Sequence, residues 1–212
     1  MMREADRVMT QSPMETDYLV EHGNVIRERI FELPPFPIKE HQLSDPNSNT
    51  SFPDKAKEKK KLRDHYNIKE SKVVLYLGQH GMHKKVNRVL EAMPYVWQAE
   101  PDTAFVIAGG VTDNTKLLKK QAAELERQKI GNVYFIDNFP NEDKEKIFRM
   151  ADIFISLSEM ESFGIVLVEA LNYGLPVVAS KNCVARYIID EGQNGSLVEP
   201  ACLTEVSGAL IE

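Results

Sequence analysis

The chain has 212 residues, 42% of them hydrophobic and 27% charged, with a formal net charge of -6. This composition belongs to a folded domain and excludes disorder throughout, and the acidic balance excludes a broad attraction to nucleic acid or anionic lipid. The length suits one large domain, or one domain with part of another. No apolar run approaches the roughly 18 residues of a membrane span, and the opening MMREADRVMTQS has no apolar leader segment. The two cysteines, Cys183 and Cys202, are too few for a disulfide framework and too far apart for a Cys-x-x-Cys motif, which suits a reducing cytoplasm.

In chain order, ADRVMTQSPMETDYLVEHGN reads as a short strand over 7–10 followed by a helix. Ser12 serves as N-cap, Pro13 as first helical residue, Glu15 as capping-box partner and Gly23 as left-handed stop. RIFELPPFP reads as a strand over 29–33, ended by prolines. Residues 39–54 are polar and turn-rich and read as a linker. KAKEKKKLRDHYNI is a helix whose acids interleave with its bases, the pattern of a solvated charged face. From Lys72 onward, short Val-, Ile- and Phe-rich strands alternate with helices: KVVLYLG, TAFVIAGG, NVYFID, DIFISLS, LPVVAS and GSLVEP. They lack strict alternation, as strands covered on both faces do. The expected fold class is α/β, a Rossmann-like open parallel sheet with helices on both faces and ligands beyond the carboxyl ends of the strands.

Three loops at those strand ends carry candidate site residues. In GQHGMHKK, Gly78 and Gly81 allow tight turns, and Lys84 or Lys85 opens the next helix, where a cation suits an anionic ligand. A plain glycine turn with a solvent-facing lysine is the alternative, and His80 and His83 have no companions at zinc-like spacing. In EMESFGIVLVEALNYGLPVVAS, a helix starting near Gly164 offers the amides of Phe163, Gly164 and Ile165, with the positive end of its dipole, to a diphosphate. Gly164 lets an anion approach the backbone closely. Glu169, about 7–8 Å further along the axis, leans back toward the helix start and can accept from two sugar hydroxyls. Glu161 faces the group beyond the phosphates; either acid can instead be an ordinary helix-start or surface carboxylate. In FIDNFPNED, Asn138 and Phe139 can offer a backbone edge and an aromatic face to a base, or form an ordinary connection.

The stretch ESFGIVLVEALNYGLPVVAS resembles the E-x7-E signature of retaining glycosyltransferases of the GT-B fold, in particular glycosyltransferase family 4 (group 1). YLGQHGMHK, FVIAGG, the segment from NVYFID to ESFG, and EGQNGSLVEP follow in the order of that family, so the likeness runs from about Val73 to Pro200. The resemblance implies a UDP-sugar or GDP-sugar donor, no cofactor, no divalent metal, retention of anomeric configuration and an acceptor it does not identify. It implies that Lys84 contacts the donor diphosphate, that Ser162 and the amides of Phe163 to Ile165 meet phosphate or sugar, and that Glu169 holds the ribose. Glu161 then binds the transferred sugar and, with Lys84, carries the catalytic role; Gly78, Gln79, Lys85, Asn138 and Phe139 complete the donor site. Two departures stand out. Gln79 replaces an arginine common among relatives, and Lys85 replaces a glycine, so Lys85 is a candidate for the lost charge. Residues 1–38 resemble the last part of an acceptor domain with the interdomain segment, and 55–212 a donor-binding domain without its final helices. On this likeness the chain is a donor-binding half, inactive without an N-terminal domain and with any membrane association residing in parts it lacks. A non-catalytic nucleotide-sugar module of the same fold is the alternative, and an epimerase or phosphorylase a third.

Overall fold

A computed structural model describes residues 6–33, 55–181 and 184–212. The expected linker over 39–54 and Cys183 lie outside the described residues. The chain opens with β1 (Val8–Thr10), α1 (Pro13–Glu21) and β2 (Ile30–Glu32), the two strands pairing in parallel with Met9 opposite Phe31. Both of those side chains are exposed. Ser12 Oγ accepts from the Glu15 amide at 3.3 Å, while the Glu15 carboxylate accepts at 2.7 Å from Gln11 N–H, one residue earlier than a capping box requires. The left-handed residue after the helix is Asn24 (φ 51°), not Gly23. Gly23 is needed for space: its N–H bonds Leu19 O, and a Cβ there would lie 2.7 Å from that carbonyl.

The second sheet holds β3 (Lys72–Leu77), β4 (Thr103–Gly109), β5 (Asn132–Asp137), β6 (Ile153–Ser156), β7 (Val177–Ser180) and β8 (Gly195–Val198). All pairings are parallel, and the order is β5-β4-β3-β6-β7-β8. Successive residues of β3 enter opposite apolar layers, as the period of a strand dictates. Val73, Leu75 and Leu77 pack with α5 (Lys144–Met150) and α6 (Ile165–Asn172). Val74 and Tyr76 pack with α3 (Val86–Ala99), α4 (Thr115–Arg127) and α7 (Leu203–Ile211). The open, doubly covered parallel sheet expected from the sequence is the one observed.

At the carboxyl ends, β3 and β4 approach too closely for side chains between them. Gly78 N–H donates to Ala108 O at 2.9 Å, and a Cβ on Gly109 (φ 136°) would lie 2.0 Å from Gly78 O. Between β3 and β6 the order of connection reverses: β3 leads toward β4 and β5, whereas β6 leads toward β7 and β8. Loops leaving neighbouring strands in opposite directions leave a crevice there, the usual ligand position in such sheets.

The charge-rich helix α2 (Lys55–His65) keeps its expected solvated face, with Lys57, Lys60, Lys61 and Asp64 exposed, while its other face is engaged. Lys59 and Arg63, one turn apart, both reach Asp152, with Nζ···Oδ1 at 2.7 Å and Nη2···Oδ2 at 2.6 Å. Arg63 is buried and also donates to the carbonyls of Met150, at 2.9 Å, and Ser71. Asp152 in turn accepts from Val73 N–H at 2.8 Å. One guanidinium thus joins α2 to the start of β3 and the end of α5. Arg63→Ala leaves a carboxylate and two carbonyls without that donor and should destabilise the chain by about 3 kcal/mol. The expected signature is a lower urea midpoint with an unchanged denaturant slope.

Candidate functional site

A cleft of about 370 Å³ occupies the crevice between β3 and β6. Its floor is the end of β3, with Tyr76, Leu77 and Gly78, and its far wall is the turn from Glu161 to Val166 that opens α6. Lys84, Lys144 and Glu169 line its sides, and Gln11 of the first βαβ segment faces it from across the opening. The two loops are clamped together by Glu159 N–H donating to His83 O at 3.0 Å. Tyr76 is buried and donates its hydroxyl to Gln79 O at 2.6 Å, fixing the turn after Gly78. Burial, and secondarily the Glu161 charge, raise its pKa, so the phenol keeps the proton it donates.

The helix that enters this cleft has no side-chain cap. Its N-cap is Gly164, in the left-handed region at φ 76°, ψ 41°, and the first backbone bond runs from Leu167 N–H to Gly164 O at 2.9 Å. Among the described residues the amides of Phe163, Gly164, Ile165 and Val166 have no acceptor. A helix start left in that state beside a cleft is a seat for an anion. A glycine suits this place because its left-handed φ is strained for any residue with a side chain. A Cβ on Gly164 would meet Leu167, Val184 and Ile188 at 3.1–3.3 Å, inside the protein rather than in the cleft.

Two ion pairs flank that helix start. Lys84 Nζ lies 2.5 Å from Glu161 Oε1, both side chains only 17% exposed, and Lys144 Nζ lies 2.6 Å from Glu169 Oε1. Lys84 ends a 3-10 turn, Met82–Lys84, that delivers it from the loop after β3. Glu169 stands one turn into α6 and leans back toward its start. Of the residues singled out from the sequence, Gly78, Lys84, Glu161, Ser162, Phe163, Gly164, Ile165 and Glu169 share this cleft. Gln79, Lys85, Asn138 and Phe139 do not line it. Lys85 turns its ammonium to Glu159 at 3.0 Å. Asn138 is left-handed, and its N–H donates to Gly109 O while its Oδ1 accepts from Val111 N–H, tying the loops after β4 and β5 together. Phe139 packs against the core. Sequence reasoning missed Lys144, Tyr76 and Gln11. One signal did exist for Lys144: a lysine at the first position of a helix opposes the dipole and needs a partner.

Two neighbouring residues give sharp tests of the loop. Lys85 holds φ 53° as C-cap of the 3-10 turn, the conformation that a glycine adopts without strain. Lys85→Gly should raise stability by about 0.5–1 kcal/mol, read from the urea midpoint. His80 is fully buried, with Nδ1 3.0 Å from Thr115 Oγ1 and Nε2 unpartnered among the described residues. Burial lowers its pKa from the usual 6.5, with Asp137 opposing the shift. The unfolded chain therefore takes up the proton first on acidification, so this contribution to stability is complete above about pH 6.5 and declines below it. Urea midpoints measured between pH 7 and pH 5.5 should fall less steeply in His80→Gln than in the unaltered chain.

Comparison with known proteins now gives these features a context. Residues 58–212 match the family Glycosyl transferases group 1. The chain is 25% identical over 205 residues to mannosylfructose-phosphate synthase of Agrobacterium fabrum, covering 93% of this chain and 42% of that protein. It is 35% identical over 133 residues to phosphatidyl-myo-inositol mannosyltransferase of Mycobacterium tuberculosis, covering 61% of this chain and 33% of that one. It thus spans less than half the length of these relatives. Anabaena HepE, solved in complex with UDP and glucose, superposes with a TM-score of 0.79 at 22% identity, over 99% of this chain and 53% of that one. The C-terminal domain of LpcC, a glycosyl transferase group 1 protein of Francisella tularensis, superposes with a TM-score of 0.64 at 22% identity, over 72% of this chain and 80% of that one. At such identities the superpositions establish the fold, the Rossmann-like sheet of GT-B glycosyltransferases. By the family match over most of its length, the chain belongs to the glycosyl transferases group 1.

Proposed function

We propose that the cleft binds a UDP-sugar or GDP-sugar and that the chain is the donor-binding part of a retaining glycosyltransferase. The observation that carries this reading is the uncapped start of α6 with one lysine–glutamate pair on each side. In this reading the amides of residues 163–166 and the Lys84 ammonium take the diphosphate, whose negative charge grows as the sugar departs. Glu169 accepts from the ribose hydroxyls. Glu161, on the opposite side, accepts from hydroxyls of the transferred sugar and favours positive charge developing on its ring. The complexes of HepE with UDP and with UDP-glucose support a nucleotide-sugar donor. Residues 55–212 carry the donor site, while the β1–α1–β2 segment belongs to the acceptor side, with Gln11 at the opening. We place the protein in the reducing cytoplasm, on the strength of its low cysteine content.

Titration of the chain with UDP- and GDP-sugars tests binding, and joining it to an acceptor domain of a relative tests transfer. Lys84→Ala should weaken UDP binding about 10- to 100-fold, the value of a charge-assisted contact. Glu161→Ala should lower transfer about 100-fold or more while sparing UDP affinity. Glu169→Ala should weaken UDP far more than inorganic pyrophosphate; equal losses would contradict its ribose role.

A further inference from the structure

We propose that Lys144 is the counter-ion that allows Glu169 to stand beside a bound diphosphate. The inference rests on the nucleotide reading above and concerns a residue to which that reading gives no role. Lys144 is the first residue of α5, where a cation faces the positive end of its own helix. What offsets this placement comes from another element: Glu169 Oε1 on α6, 2.6 Å from Nζ, with both side chains lining the cleft. Among the described residues Lys144 is the cation paired with Glu169.

A carboxylate in this position has two opposing relations to a nucleotide. Its oxygens suit sugar hydroxyls, yet its charge repels the diphosphate seated at the start of the same helix. Lys144 removes the conflict by cancelling the charge while occupying one oxygen only. Among the described residues nothing donates to Oε2, and the ammonium keeps two further N–H groups. Lys144 thus acts through Glu169: it is a positioning and charge-balancing residue, and the phosphates themselves rest on Lys84 and the α6 amides.

This assignment makes a prediction whose sign depends on the partner. Lys144→Gln leaves Glu169 uncovered, so affinity for inorganic pyrophosphate and for UDP should fall about tenfold at low salt. Adding Glu169→Gln to that variant removes the repelling charge, and pyrophosphate affinity should return to within about twofold of the unaltered chain, although UDP affinity stays low because the ribose contact is weakened. Lys144→Arg should retain both affinities within a few-fold. Calorimetric titrations of the four chains with pyrophosphate and UDP decide the matter. If the pyrophosphate loss persists in the double variant, Lys144 touches phosphate directly and the proposal is overturned; it is also overturned if Lys144→Gln binds pyrophosphate normally. Failure of the unaltered chain to bind either probe would sink the nucleotide reading and this inference with it. Normal binding by the unaltered chain alongside an unaffected Lys144→Gln would sink the inference alone.

Discussion

The reversal of strand connection between β3 and β6 is the constraint from which the rest of the cleft follows. Because β3 hands the chain toward β4 and β6 hands it toward β7, the loops at their carboxyl ends diverge and leave a gap between them. One loop must then bring Lys84 and the other Glu161, so residues 77 positions apart meet across a crevice. The contact between Glu159 N–H and His83 O closes the crevice at its base, and the buried Tyr76 hydroxyl holds the glycine turn above it.

The starts of α1 and α6 show opposite solutions to the same problem. In α1, Ser12 satisfies an amide of the first turn and Glu15 folds back on Gln11. In α6, the residue at the equivalent place is Gly164, which has no side chain to offer, and the first turn is left facing the cleft. A protein seldom leaves such groups half-buried without a partner. The acids beside them are each matched by a lysine, so the lining holds two positive and two negative side chains and its balance is left to whatever enters.

Much of the fold was legible because the strands from Lys72 onward are short apolar runs bounded by turn residues, and because all but β7 are followed by an α-helix. Their spatial order was not, since parallel pairing is decided by packing between distant segments rather than by any local pattern. The E-x7-E spacing made Glu161 and Glu169 visible as candidates, and helix geometry predicted the lean of Glu169. Lys144 escaped notice because its meaning lies in a partner 25 residues away on another helix. The same holds for Arg63, which looked like one more basic residue in a charged helix until its contacts with Asp152 and Met150 were seen. Glycines proved the least readable. Gly23 was expected as a left-handed stop, yet Asn24 takes that conformation and Gly23 is needed for space, whereas Gly164 is itself left-handed.

The close approach of Gly78 and Gly109 has a consequence for engineering. These two positions sit where β3 and β4 end, and at Gly109 the backbones meet with no room for another carbon. Substitutions meant to reshape the cleft should keep Gly109 fixed, and Asn138 with it, because its positive φ and its Oδ1 bond to Val111 N–H tie the loops after β4 and β5 together. The side chain of Gln79 is exposed and is the freer position of the loop, while the glycine seam preserves the spacing of the strands.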